Sequence, residues 1–146
     1  MSHDPAEILA YAKTVAVVGA SRDPSKPSGK IPYLLQHRGY RIIPVNPTSG
    51  EILGEPVYPS LLDIKEPVDV VNVFRPAAEA PGIARQAVAI GARALWLQLG
   101  IKSEEARAIA EGAGLDYVED LCMGRESVRL HIAQTYKPTL VRSPDR

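Results

Sequence analysis

Short apolar runs alternate along this chain with stretches whose apolar residues recur every three or four positions. Residues 14–18 (TVAVV), 41–45 (RIIPV), 68–73 (VDVVNV) and 94–99 (ALWLQL) are nearly unbroken apolar runs of strand length. That is the pattern of parallel strands covered on both faces. Residues 116–118 offer a shorter fifth strand. The intervening segments carry helix signals. Asp4, Pro5 and Glu7 supply a cap, a proline at the first helical position and an acid three residues after the cap, opening a helix through about Ala12. Ile31, Leu34 and Leu35 share one face of a second helix ending at Gly39, and Pro32, tolerated only in a first turn, confines its start to about Ser28. Ala80, Ile83, Ala84, Ala87 and Val88 fit the i, i+3, i+4, i+7, i+8 template, with Gly91 as the stop. Ser103 caps a fourth helix, with Glu104 and Glu105 in its first turn and Gly112 and Gly114 at its end. A last helix is predicted over 125–134, with Val128 and Ile132 on one side. Residues 48–60 read as an irregular Gly- and Pro-punctuated stretch, and a short helix is predicted over 60–64.

Strands alternating with helices predict an α/β fold: a doubly wound parallel sheet of about five strands with helices on both faces. At 146 residues, with no repeat or linker, the chain is expected to be a single domain over 1–136, followed by a tail from 137 that frays. Composition narrows the function. Seventeen basic residues balance seventeen acidic ones, so no overall field draws the chain to nucleic acid or anionic lipid, and any anion site must be local. The apolar runs fall far short of the ~20 residues that span a bilayer. The first residues lack a signal-peptide pattern, and one cysteine excludes an internal disulfide framework. A cytoplasmic protein is expected.

In such sheets ligands bind beyond the carboxyl ends of the strands, near the point where strand order reverses. The turns there hold Gly19-Ala20-Ser21, Asn46-Pro47, Phe74-Arg75, Gln98-Leu99-Gly100 and Asp120-Leu121-Cys122. The connection from Gly19 to Ser28 is long for a strand-to-helix loop, which usually has ~2–6 residues. Gly19 permits close backbone approach. The helix start near Ser28 offers unpaired N–H groups, and Arg22, Lys26 and Lys30 add mobile cations. These features suit a pyrophosphate, although Gly, Pro and Ser are also ordinary loop residues. Neither a G-x-x-x-x-G-K-[ST] loop nor G-x-G-x-x-G occurs, and Val45-Asn46-Pro47 stands where an NAD site needs an acid after the second strand. Asn46 can bond a base or ribose, or merely start a turn. Phe74 can cover a base or an extended arm, or pack as a core aromatic with Arg75 solvated. Trp96 reads as core. Cys122 with His131 lacks the spacing logic of a nucleophile and base and reads as a small buried thiol. No metal-site spacing occurs.

Taken jointly, Val15 to Ser21 (VAVVGAS), Gly39 to Pro47 (GYRIIPVNP), Tyr58 to Leu61 (YPSL), Val68 to Arg75 (VDVVNVFR) and Leu95 to Gly100 (LWLQLG) closely resemble the stand-alone CoA-binding proteins. Their domain is similar to the N-terminal CoA-binding domain of the succinyl-CoA synthetase α subunit. The resemblance implies a Rossmann-like fold holding coenzyme A, or an acyl-CoA, at the C-terminal edge of the sheet. By motif, Gly19, Ala20 and Ser21 would meet the pyrophosphate, and Val45, Asn46 and Pro47 the adenosine. Phe74 with Arg75 would form a third wall, and Gln98, Leu99 and Gly100 would face the pantetheine. Arg22, Lys26 and Lys30 remain physical candidates for the phosphates, a choice the resemblance does not make. The chain departs from the synthetase in lacking the second domain with the phosphorylated histidine, and in having Leu99 where the synthetase has a Glu. The leading expectation is therefore a non-catalytic module that binds a small nucleotide cofactor. An NAD(P)-using oxidoreductase or redox sensor and a ligand-free interaction module are the alternatives.

Overall fold

A computed structural model of the protein describes residues 4–48 and 50–137. The expected fraying of the tail concerns residues that lie almost wholly outside this range. The chain runs α1 (Pro5–Tyr11), β1 (Thr14–Val18), α2 (Pro27–His37), β2 (Arg41–Val45), β3 (Glu51–Ile52), β4 (Glu55–Pro56), β5 (Val70–Val73), α3 (Ala80–Ala89), β6 (Ala94–Leu97), α4 (Glu104–Gly112), β7 (Asp116–Val118) and α5 (Met123–Arg129). Single 3₁₀ turns lie at Leu61–Asp63 and Ala77–Glu79. Five parallel strands form one sheet in the order β2-β1-β5-β6-β7. This is the doubly wound, Rossmann-like arrangement, and its order reverses between β1 and β5.

The period-two alternation of the strands decides which helices each residue meets. Val15, Val17, Val70 and Trp96 pack with Ile8 of α1, Leu35 of α2 and Met123 of α5. Ala16, Val71, Leu95 and Leu97 face the other way, onto Ala84 and Ala87 of α3 and Ala106 of α4. Trp96 is fully buried, and its ring N–H donates to the Leu121 carbonyl at 2.9 Å. The caps foreseen at Asp4 and Ser103 form, on Glu7 N (2.9 Å) and Ala106 N (3.0 Å). Gly39 ends α2 with φ +93, and an added Cβ there would collide with the Gln134 carbonyl. A left-handed turn and a close crossing thus both require glycine.

Four expectations need correction. The strand expected over 68–73 begins at Val70. Within 48–60 lies a small antiparallel hairpin, β3–β4, turned by Leu53 (φ 57) and Gly54 (φ 77). The strand expected over 94–99 ends at Leu97, so Gln98 and Leu99 belong to the turn. The last helix spans Met123–Arg129 rather than 125–134. His131 is left-handed (φ 56), and the Arg38 guanidinium donates to the carbonyls of Ser127 and Ile132 (both 3.0 Å), closing the helix from outside. The chain then crosses the end of α2, with Gln134 N on Arg38 O (2.7 Å) and Tyr136 N on Gly39 O (2.9 Å).

Candidate functional site

The switch point places the turn after β1 beside the turn after β5. Gly19 has φ +92, and its N–H donates to the Val45 carbonyl at 2.9 Å. A Cβ there would stand 2.9 Å from Arg75 Cδ and 3.0 Å from the Phe74 carbonyl oxygen, so a side chain would push the two turns apart. Ala20 is buried, and its carbonyl accepts from Asn46 Nδ2 (2.8 Å). Asn46 Oδ1 accepts from the Thr48 N–H (2.9 Å) and hydroxyl (2.7 Å). Its amide therefore ties the ends of β1 and β2 together. Val45 is buried and Pro47 exposed beside it.

The long loop is held by a consequence of Pro32. A proline has no N–H for the carbonyl four residues earlier. That carbonyl, Ser28 O, accepts instead from Ser21 N at 3.0 Å, which fastens the loop to the start of α2. Ser21 Oγ accepts from Asp23 N (3.0 Å), and Asp23 Oδ1 from the N–H and hydroxyl of Ser25 (2.9 and 2.7 Å). The Ser25 bonds hold the Asp23 carboxyl below its ordinary range. Gly29 is buried under this loop, where a Cβ would collide with the Asp23 carbonyl. The helix start has no side-chain cap from Lys26 and carries Pro27 at its first position.

Two cavities flank Lys30. The larger, about 600 Å³, lies between the start of α2 and the turns after β5, β6 and β7. Its charged lining is Lys26, Lys30 and Arg125, with no acid, and Ile31, Phe74, Leu99, Ile101 and Cys122 supply apolar surface. None of these cations forms an ion pair within 4 Å among the described residues. The smaller cavity, about 440 Å³, lies between the loop and the β3–β4 hairpin and is bordered by Ser21, Arg22, Tyr33 and Leu53. Arg22 Nε donates to the Glu51 carbonyl (2.9 Å), which draws this cation to the hairpin rather than to the larger cavity.

On the far wall Gln98 is 4 % exposed. Its Oε1 accepts from Met123 N (2.9 Å) and Asn72 Nδ2 (3.3 Å), and Asn72 Nδ2 also donates to the Trp96 carbonyl (3.2 Å). Asn72 Oδ1 is buried without a hydrogen-bond partner, a defect that typically costs ~1–3 kcal/mol. Arg75 pairs through two bonds with Glu79 (3.0 and 2.8 Å), each side chain about half exposed. Gly100 (φ +88) donates its N–H to Asp120 Oδ1 at 2.7 Å, and Leu99 beside it is 58 % exposed. Cys122 precedes α5 and His131 follows it, so the helix separates them.

The structure thus gathers Lys26, Ser28, Lys30, Phe74, Gln98 and Leu99 around the larger cavity, and Ser21 and Arg22 around the smaller. Gly19, Ala20, Val45, Asn46, Pro47, Arg75 and Gly100 line neither; they shape or border the turns between. Sequence reasoning missed Ile31, Ile101, Cys122 as a wall residue, and Arg125. Arg125 had a usable signal, being the cation that follows the fifth strand's turn on the edge where ligands bind.

The chain is 41 % identical over 117 residues to the uncharacterized protein YneT of Bacillus subtilis, covering 80 % of this chain and 87 % of that one. It is 37 % identical over 105 residues to an ADP-forming acetate–CoA ligase of Archaeoglobus fulgidus, covering 70 % of this chain but 16 % of the ligase. A solved structure from Thermus thermophilus superposes with a TM-score of 0.83 at 40 % identity, covering 88 % and 99 % of the two chains. The model of the CoA binding domain matches residues 13–127, and the chain belongs to that family.

Proposed function

We propose that this protein binds coenzyme A or an acyl-CoA at the C-terminal edge of its sheet, as a cytoplasmic binding module without catalysis of its own. The described chain acts as one unit. The diphosphate lies over the turn Gly19-Ala20-Ser21 and the start of α2, within reach of Lys26 and Lys30. The pantetheine arm runs into the larger cavity past Phe74, Gln98 and Leu99. Val45, Asn46, Pro47 and Arg75 border the adenosine, and Gly100 shapes the turn beside the arm.

The observation that carries this reading is the lining of the larger cavity: three cations without an ion pair among the described residues, and no acid, around an apolar wall beside the switch point. A ligand with several negative charges at one end and an uncharged, flexible arm matches that distribution. The acetate–CoA ligase resemblance supports the cofactor class but spans too little of that enzyme to bring its reaction along.

Titration calorimetry with CoA, dephospho-CoA, ADP and NAD tests the reading. CoA is expected to bind most tightly. Tighter binding of NAD would favour a dinucleotide enzyme. If no nucleotide raises the melting temperature, the interaction-module alternative gains, because a ligand that binds only the native state must stabilise it.

A further inference from the structure

From the geometry behind the larger cavity we infer that Asn72 is a positioning residue. Together with the Met123 N–H it fixes the Gln98 amide so that its NH₂ faces the ligand and takes a carbonyl of the pantetheine arm. This inference rests on the coenzyme A reading above.

Each orientation is dictated by a neighbour that has one role only. A backbone N–H can only donate, so the Gln98 atom 2.9 Å from Met123 N is the oxygen. A backbone carbonyl can only accept, so the Asn72 atom 3.2 Å from Trp96 O is the nitrogen. That nitrogen also donates to Gln98 Oε1 (3.3 Å), which gives the oxygen a second internal bond. Gln98 Nε2 then has no protein partner among the described residues, although Gln98 is 96 % enclosed. It is not among the fully buried unsatisfied atoms, and Gln98 lines the larger cavity, so the NH₂ is the group this wall offers. The unpartnered Asn72 Oδ1 is the residual defect of the same arrangement. Turning Asn72 round would satisfy nothing, because its oxygen would then face the Trp96 carbonyl and Gln98 Oε1.

The wall is therefore polarised. It accepts a hydrogen-bond acceptor and rejects a second donor, which suits an amide carbonyl. Coenzyme A presents such carbonyls only on its arm; its nucleotide end carries none. Along the sheet edge the wall follows β6, two strands from the β1 turn assigned to the diphosphate, as an arm extending from the phosphates requires.

The test compares CoA with adenosine 3′-phosphate 5′-diphosphate, the same molecule cut before the arm. Gln98→Glu keeps an oxygen for both internal donors and puts a second oxygen where the NH₂ stood. It is expected to weaken CoA at least tenfold more than it weakens the nucleotide piece, whose loss measures the added charge alone. Asn72→Leu is expected to weaken CoA about threefold while leaving the nucleotide piece unchanged, since it removes the positioning bond and no ligand contact. In the unaltered protein, ¹⁵N–¹H spectra should show the Gln98 side-chain NH₂ signals moving on titration with CoA and staying in place with the nucleotide piece, a readout that does not depend on either variant folding. Equal losses for both ligands, or NH₂ signals indifferent to CoA, overturn the inference while leaving the cofactor reading intact. Unaltered protein that binds CoA no better than the nucleotide piece, or binds neither, defeats both.

Discussion

The two edges of the sheet are built on opposite electrostatic plans. At the N-terminal edge polar groups are used up internally. Asp69 Oδ2 accepts from the N–H groups of Lys13 and Thr14 (2.8 and 3.0 Å), and the Tyr11 hydroxyl donates to Asp116 Oδ2 at 2.7 Å. Burial first, then this bond to Asp116, pushes the Tyr11 hydroxyl well above its ordinary pKa, and Arg93 lies 3.7 Å over its ring. Arg41 is held by Glu66 through two bonds (2.8 and 2.7 Å) and by Glu55 (3.1 Å). At the C-terminal edge Lys26, Lys30 and Arg125 face a cavity without a carboxylate on its lining. A folded chain gains little by leaving cations unpaired around a concave, partly apolar surface, and an external anion gains much. The first edge spends its charges on the fold; the second leaves three cations facing the cavity in which we propose that coenzyme A binds.

This contrast can be broken by variants at either edge. Gly39→Ala is expected to have the largest effect: a left-handed residue and a backbone collision together should cost more than ~2 kcal/mol, read as a fall in denaturation midpoint. The fraction that remains folded should bind CoA normally. At the other edge, Lys30→Ala combined with Arg125→Ala should weaken CoA binding by about tenfold, flatten its dependence on salt and leave the melting temperature within a degree or so. Lys102→Ala, outside the cavity, is the control. Matching losses at all these positions would mean a diffuse field.

The next effect is smaller and depends on pH. The two-bond contact with Arg41, partly offset by burial, holds the Glu66 carboxyl below its ordinary value of 4.5. Because the folded pKa lies below the unfolded one, the pair's contribution is present in full above pH 4.5 and is lost as pH falls through the folded value. Glu66→Gln should therefore cost about 1 kcal/mol at pH 7, allowing for solvent screening, and the gap from the parent protein should narrow in acid-titrated unfolding curves. The smallest effect is expected at Glu79→Gln. Releasing Arg75 from its exposed pair should tighten CoA binding by about twofold if the guanidinium turns to the phosphates, measured by calorimetry at low salt.

Much of the fold was legible because the strands are buried on both faces and the helices carry clear caps and stops, as at Asp4, Pro32, Gly39 and Ser103. The β3–β4 hairpin was not, since two-residue strands are too short for any periodicity to register. The end of α5 was hidden for another reason: the group that caps it, Arg38, lies 89 residues away from Ser127 in the chain. At the candidate site, turn residues pointed to the edge where the larger cavity lies, but residue type alone could not separate side chains aimed outward from those spent on the turn itself. Lys26, Lys30 and Gln98 line the cavity, whereas Asn46, equally polar, is consumed by Ala20 and Thr48. Asn72 drew no notice because a lone amide inside an apolar run looks like an imperfection in a strand. Its meaning appears only when Gln98 is seen beside it.

The bond from Ser21 to the carbonyl that Pro32 leaves vacant bears on kinetics. Any loop that must first assemble around its guest slows the encounter and spends part of the affinity on ordering. Here the fastening is internal to the folded chain, so the loop proposed to receive the diphosphate stands ready before the guest arrives. Association should then proceed in one step, at a rate governed by diffusion and electrostatic steering, with residence time as the variable left for the arm to set.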